Sequence, residues 1–586
     1  MAPSTSGVPT VAEVVGRALA RLGAGHCFGV VGSGNFAVTN ALRASGVPFT
    51  ATRHEGGAAT MADAYSRMSG RVGLVSVHQG CGLTNAATGI GEAAKSRTPV
   101  IVLAAEASAA SVGSNFSMDQ PGLARAVTAE AHRVHSASSA LDDVVRAFRT
   151  ARDERRTVVL NLPLDVQAMP APTEVLARLD GLEPPIAPDP PRASDAAVAE
   201  LAEMIRRSER PVIVAGRGAR AAGSELRALA ETSGALLATS AVAKGLFAGD
   251  AYDLGISGGF SSPLAAELIS HADLVIGVGC ALNMWTMRHG RLIGPDAAVV
   301  QIDLDPAALG AQRPIDLGVV GDAAATATAV RAELDRSREE SEAPAAPGSP
   351  AAPSRRYRTA EIAARIAAGA RWADVPLDPP DLGGVAPVRD GGAELRIDPR
   401  VLTRELDAML PTERIVSVDS GNFMGYPSAY LSSPDEFGFC FTQAFQSIGL
   451  GLPTAIGAAL ARPDRLPVLG AGDGGFLMAI AELETAVRLR LPLLVIVYND
   501  DAYGAEIHHF GAGDGAPDLE AVIFPRVDIA SIARGFGAEG ATVREVSDLS
   551  IVGDWLASGP ERPLVLDARI ASDGGSWWLA EAFRGH

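Results

Sequence analysis

Apolar positions along the chain alternate between two periods. Residues 11–22 carry apolar side chains at helical spacing, and short unbroken apolar runs follow at 27–31, 73–77, 100–104 and 158–162. Helical stretches alternating with apolar runs of strand length predict a buried parallel sheet flanked by helices. The pattern then recurs. Residues 196–207 read as a helix, and 211–218, 273–279 and 298–306 as strands running into turns that carry glycine or aspartate. In the last third, the apolar run 466–469 meets Gly472-Asp473-Gly474-Gly475. A helical spacing of Phe476, Ile480, Leu483 and Val487 follows, then a second apolar run at 491–498. That is strand, tight glycine turn, helix and parallel strand. The pattern predicts an α/β chain of three doubly wound parallel-sheet domains over residues 1–183, 193–335 and 396–586. The proline-rich stretch 184–192 joins the first two, and a Pro/Ala-rich linker over 336–395, with one amphipathic helix at 359–373, joins the last two.

Length agrees, because 586 residues exceed what one core supports. A formal charge of −18 argues against a nucleic-acid partner. The sequence shows no apolar segment of membrane-spanning length, and residues 1–9 lack the basic-then-apolar pattern of a secretory leader. Cys27, Cys81, Cys280 and Cys440 are too scattered for a disulfide framework or paired metal ligands. A reducing cytoplasm is the expected location.

Candidate chemistry gathers at the carboxyl ends of the predicted strands, where open α/β sheets bind ligands. The glycines of 472–475 let backbone amides approach a phosphate, yet Asp473 in the same turn would repel one. A cation between them resolves the conflict, and magnesium commonly bridges carboxylates to phosphate oxygens. Asp473, Asn499, Asp500 and the carbonyl of Ala502 supply candidate oxygens. A Gly-Asp-Gly taken alone is an ordinary turn. Followed after one helix and one strand by Asn499-Asp500, it resembles the diphosphate and magnesium motif of thiamine diphosphate enzymes in the acetolactate synthase, pyruvate decarboxylase and benzoylformate decarboxylase superfamily. One departure is Asp500, where that family usually has a second asparagine; an aspartate still ligates magnesium but adds a negative charge beside the diphosphate.

The resemblance extends over most of the chain. It implies cofactor contacts at Gly472, Gly474, Gly475, Tyr503 and Gly504, at Gly421 and Asn422 in the turn after residues 415–418, and at Ser447 and Ile448. Ile448 takes the position of the apolar wedge that holds the two cofactor rings in a bent shape. In the first domain, Arg53-His54-Glu55-Gly56-Gly57-Ala58-Ala59 looks like the family's catalytic-glutamate motif, in which the acid hydrogen-bonds the aminopyrimidine ring and promotes its activating tautomer. Read without the family, Glu55 is a helix-start acid favoured by the dipole. The stretch Gln79-Gly80-Cys81-Gly82-Leu83-Thr84-Asn85 resembles a Gly-Pro-Gly loop with Cys81 in the proline position, and places Gln79 beside the chemistry. Residues 115–120 fall where relatives carry active-site groups. Glu506, with His508 two residues on, matches the acid that protonates the product carbon in simple decarboxylases; read alone, both belong to a solvated helix face.

The family's central domain binds flavin in some members. The sequence Cys280-Ala281-Leu282-Asn283-Met284-Trp285 lacks the arginine-bearing pattern of flavin-binding synthases and argues against FAD here. Thiamine diphosphate and Mg2+ are the expected cofactors. Glu55 and Asp473 lie about four hundred residues apart, so one cofactor must bridge domains, and in the family it does so between subunits of a homodimer or homotetramer. The implied substrates are a 2-oxo acid and a carbonyl acceptor. The expected reaction is decarboxylation followed by carboligation, as in acetolactate synthase. Plain decarboxylation to an aldehyde is the alternative within the family, and a non-catalytic nucleotide-binding or scaffold homologue the alternative outside it.

Overall fold

The computed structural model describes residues 7–341, 357–378, 381–388, 392–511, 517–572, 576 and 578. Among them are three six-stranded sheets, all parallel. The first contains β1 (Cys27–Gly29), β2 (Phe49–Ala51), β3 (Gly73–Val77), β4 (Val100–Glu106), β5 (Glu130–Arg133) and β6 (Thr157–Pro163), in the order β2-β1-β3-β4-β6-β5. The central sheet contains β7 (Pro211–Ala215), β8 (Leu236–Thr239), β9 (Asp253–Ile256), β10 (Leu274–Val278), β11 (Ala298–Asp303) and β12 (Leu317–Val320), ordered β12-β11-β10-β7-β8-β9. An antiparallel hairpin, β13 (Gly384–Val388) and β14 (Gly392–Arg396), precedes the third sheet. That sheet contains β15 (Arg414–Val418), β16 (Phe439–Phe441), β17 (Leu466–Gly472), β18 (Leu494–Asn499), β19 (Glu539–Val543) and β20 (Leu564–Arg569), ordered β16-β15-β17-β18-β20-β19. Counted from each sheet's own first strand, the first and third have one topology.

The strands read as unbroken apolar runs because helices cover both faces of each sheet; every residue of β3, β7, β10 and β18 is buried. In the first and third sheets the strand order reverses between the sheet's first and third strands, and in the central sheet between β7 and β10. Such reversals open a crevice beyond the strand ends, where ligands bind.

Two features differ from the sequence pattern. The helix expected over 476–487 is two, Asp473–Met478 and Glu482–Arg488, and the break lets the second open on a carboxylate that turns into the neighbouring domain. In the stretch 336–395 the expected helix is present as Ala360–Gly369, capped by Thr359, and the hairpin follows it.

The first and third sheets share a core that runs from Phe28 and Ala58 to Ile456 and Leu469. At its centre the helix Glu55–Ser69 crosses the helix Gly451–Ala461. A Cβ on Gly457 would lie 2.3 Å from the Met61 carbonyl oxygen, so the backbones touch. The small residues that follow Glu55 serve this close approach.

Candidate active site

Three strands of the third sheet deliver the site. β15 runs into Asp419, Ser420 and Gly421, β17 into the 472–475 turn, and β18 into the loop 499–504. These ends line one cavity of about 1640 Å³ together with Asn422, Ile448 and Glu506. The cavity continues to the central-sheet reversal at Gly216 and Gly279.

Asp473 begins its helix at the tip of β17 and is 7% exposed. Desolvation, with the charge of Asp501 nearby, pushes its carboxyl up to about 7. Desolvation and the charge of Asp473 hold Asp500 well above the usual carboxylate range. Two desolvated carboxylates that repel one another are the environment a divalent cation relieves, so the residues fit one. The fit is close: a Cβ on Gly504 would sit 2.2 Å from Asp500 Oδ2, and one on Gly474 would sit 2.5 Å from the Tyr503 ring. Among the described residues no group of three or more His, Cys, Asp or Glu is set out as a metal site. A cation held by two carboxylates and the Ala502 carbonyl would therefore take its remaining oxygens from a phosphate and water.

Asn499, among the expected ligands, has both ends of its side chain engaged by the protein. Its Nδ2 donates to Asp567 Oδ1 at 2.7 Å and its Oδ1 accepts from the Asp501 amide at 3.0 Å, so its side chain holds the loop's shape. Asp501 adopts φ 58°, unusual for a non-glycine residue. Its carboxylate is gripped by Arg396, at the end of the hairpin, and by Arg569, at the end of β20.

Asp419 is a site residue that the sequence pattern did not single out. It is 1% exposed, and its oxygens accept from the amides of Ser420 at 2.8 Å and Gly449 at 3.0 Å. A Cβ on Gly475 would lie 2.5 Å from its Oδ2. Asp419 thus ties the Ile448 loop to the glycine turn 472–475. Its position directly after a buried strand, at the topological reversal, was the available signal.

Glu55 and Gln79 sit in the first domain and outside this cavity's lining. Glu55 opens its helix and is 9% exposed; its Oε2 accepts from Asn85 Nδ2 at 3.1 Å, which joins the two first-domain motifs. Gln79 is buried with an Oε1 that finds no partner among the described residues. Gln120, within the 115–120 segment, accepts from the Gly80 amide at 3.0 Å and donates to Asn161 at 2.8 Å, so it supports that loop. Ser447 and His508 are half-buried and do not line the cavity, whereas Trp578 does and donates to the Asn422 carbonyl at 2.8 Å. Its neighbour Trp577 lies outside the described residues.

Carboxylates cross between the two domains in both directions. Glu92, paired with Arg67, accepts from the amides of Ala444 at 3.0 Å and Phe445 at 2.7 Å, just before Ser447 and Ile448. Glu482 accepts from the amides of Arg53 and His54, both at 3.0 Å, just before Glu55.

Comparison with known proteins matches three family descriptions along the chain: thiamine pyrophosphate enzyme N-terminal TPP binding domain over residues 9–128, central domain over 198–330, and C-terminal TPP binding domain over 419–567. Among similar proteins is a probable 2-ketoarginine decarboxylase of Pseudomonas aeruginosa, 31% identical over 94% of this chain and 92% of that protein. A sulfoacetaldehyde acetyltransferase of Castellaniella defragrans is 30% identical over 94% of this chain and 89% of that protein. The acetolactate synthase large subunit of Parasynechococcus marenigrum is 28% identical, with coverage of 93% and 85%.

Proposed function

The chain belongs to the thiamine pyrophosphate enzyme family, and on that premise we propose that it binds thiamine diphosphate through magnesium and decarboxylates a 2-oxo acid. The observation that carries the reading is that Asp473, Asp500 and the glycine turn 472–475 line one cavity at the ends of the neighbouring strands β17 and β18. When bound, the cofactor supplies a nucleophilic carbon for the keto group and takes up the electron pair released with carbon dioxide.

The chain's residues do the rest. Asp473, Asp500 and the Ala502 carbonyl hold the metal, and the amides of the glycine turn meet the diphosphate at a helix start. Ile448 supports the bent cofactor. Glu55 holds a proton at the pyrimidine nitrogen and so sets the cofactor's active tautomer. Because Glu55 lies outside the cavity that contains Asp473, the reading completes each site with a second copy of the chain, as a homodimer or a pair of homodimers.

The fate of the product carbon separates two readings. Glu506 lines the cavity with Asp473 and Ile448, and as an acid it delivers a proton to the carbon that carbon dioxide has left; this observation favours release of an aldehyde. In the other reading a second carbonyl compound takes that proton's place and the product is an acyloin, as the name of the acetolactate synthase relative implies.

Titrating thiamine diphosphate against intrinsic fluorescence with and without magnesium, then offering pyruvate and bulkier 2-oxo acids with products weighed by mass spectrometry, tests the proposal. We expect magnesium-dependent binding and carbon dioxide release, with a product smaller than the substrate for aldehyde release and larger for ligation. Glu55→Gln should lower turnover by about 10²–10⁴-fold while the cofactor still binds. No binding at millimolar magnesium would sink the reading in favour of a non-catalytic homologue.

A further inference from the structure

Glu55 is the first residue of its helix, so its direction is set by the corner that precedes it. His54 caps that helix: its backbone is extended and its Nδ1 accepts from the Gly56 amide at 3.0 Å. What fixes the corner from outside is Glu482. One oxygen, Oε1, accepts from both the Arg53 and His54 amides, and the other, Oε2, accepts from Thr485 Oγ1 at 2.7 Å. The carboxylate is 2% exposed. Gly57 makes room for it, since a Cβ there would lie 2.4 Å from Oε1. Glu482 also opens the helix that follows directly on the one begun by Asp473. One short segment of the third domain therefore carries both a carboxylate for the metal and the clamp on the first domain's acid.

We propose that Glu482 is a positioning residue for Glu55, fixing the acid's approach by holding the two amides before it and tying that approach to the segment that binds diphosphate. The inference rests on the reading above, in which Glu55 sets the cofactor's tautomer. In that reading the clamp lies within one chain, while the acid and the metal carboxylate of that chain serve two different sites. Glu482 then binds the geometry of one site to that of the other. A buried carboxylate with three donors is costly to leave half-satisfied, so its loss should loosen the corner rather than let it repack unchanged.

The test compares Glu482→Ala, Glu482→Gln and Glu55→Gln. Without cofactor, amide hydrogen exchange read by mass spectrometry on a peptide spanning residues 49–58 reports the corner itself. With cofactor and magnesium, exchange of the thiazolium C2 proton for deuterium, read by quenched-flow NMR, reports activation directly. Glu482→Ala should raise amide exchange in the peptide and slow C2 exchange by about 10–100-fold, with cofactor affinity retained. Glu482→Gln keeps an oxygen facing both amides and should restore both readouts. If Glu482→Ala leaves C2 exchange at the wild-type rate, or if Gln slows it as much as Ala, positioning by Glu482 is overturned. Should the alanine variant not fold, Gly57→Ala, whose methyl would press on the same carboxylate, must slow C2 exchange with the fold retained; a wild-type rate there overturns the inference equally. Glu55→Gln separates the layers: if it leaves C2 exchange unchanged, the assignment of Glu55 fails rather than the clamp.

Discussion

Asp500 and Gly504 form a matched pair, because the carboxylate occupies the space that a side chain at 504 would need. Gly504→Ala should push Asp500 away from Asp473 and weaken magnesium binding by about 10–100-fold, read by calorimetric titration at saturating cofactor. Unchanged affinity would remove Asp500 from the ligand set. The same scale shows why residue type alone misleads. Asn499 and Asp500 are adjacent in sequence with similar oxygen donors, yet the first hydrogen-bonds Asp567 while the second lines the cavity against Gly504. That division follows from the path of the loop after β18, which no spacing rule contains.

At the scale of elements, strands and helices near the site were legible because burial on both sheet faces writes itself as unbroken apolar runs. The glycine turn was legible because its amides must approach a ligand. The short edge strands β2 and β5, of three and four residues, carry too little pattern to be read, and Asp419 acts through backbone amides that leave no motif. The hairpin was also missed, being two short strands in a stretch of linker-like composition. Its role is nevertheless specific. Arg396 at its end reaches across to Asp501 at 2.7 Å, while Glu394 beside it meets Arg544 at 3.0 Å and Arg569 at 3.3 Å. Arg396→Met should therefore act on the loop 499–504 from a distance. It removes one of two guanidiniums from a carboxylate that holds a left-handed backbone, and we expect stability to fall by about 1.5 kcal/mol in urea unfolding, with weaker magnesium binding. A variant as stable as wild type would mean that Arg569 suffices for Asp501.

For the whole molecule, the first and third domains are two copies of one sheet topology fused across a single core, within which the backbones at Gly457 and Met61 approach too closely for a side chain. Gly457→Ala should cost about 1–3 kcal/mol by forcing the two helices apart, visible as a lower midpoint in urea; an unchanged midpoint would show that the interface yields without strain. Within one chain Glu55 lies outside the lining of the cavity that holds Asp473, and the proposed reading completes that cavity with Glu55 of a second copy. The consequence is genetic. A chain carrying Glu55→Gln and a chain carrying Asp473→Ala should each lose most activity alone, yet co-expressed they should complement one another, because in the proposed dimer a mixed pair gathers both lesions into one site and leaves the other whole. Random pairing of equal amounts gives about a quarter of the wild-type activity, while two such alleles of an enzyme whose site lies within one chain would give none.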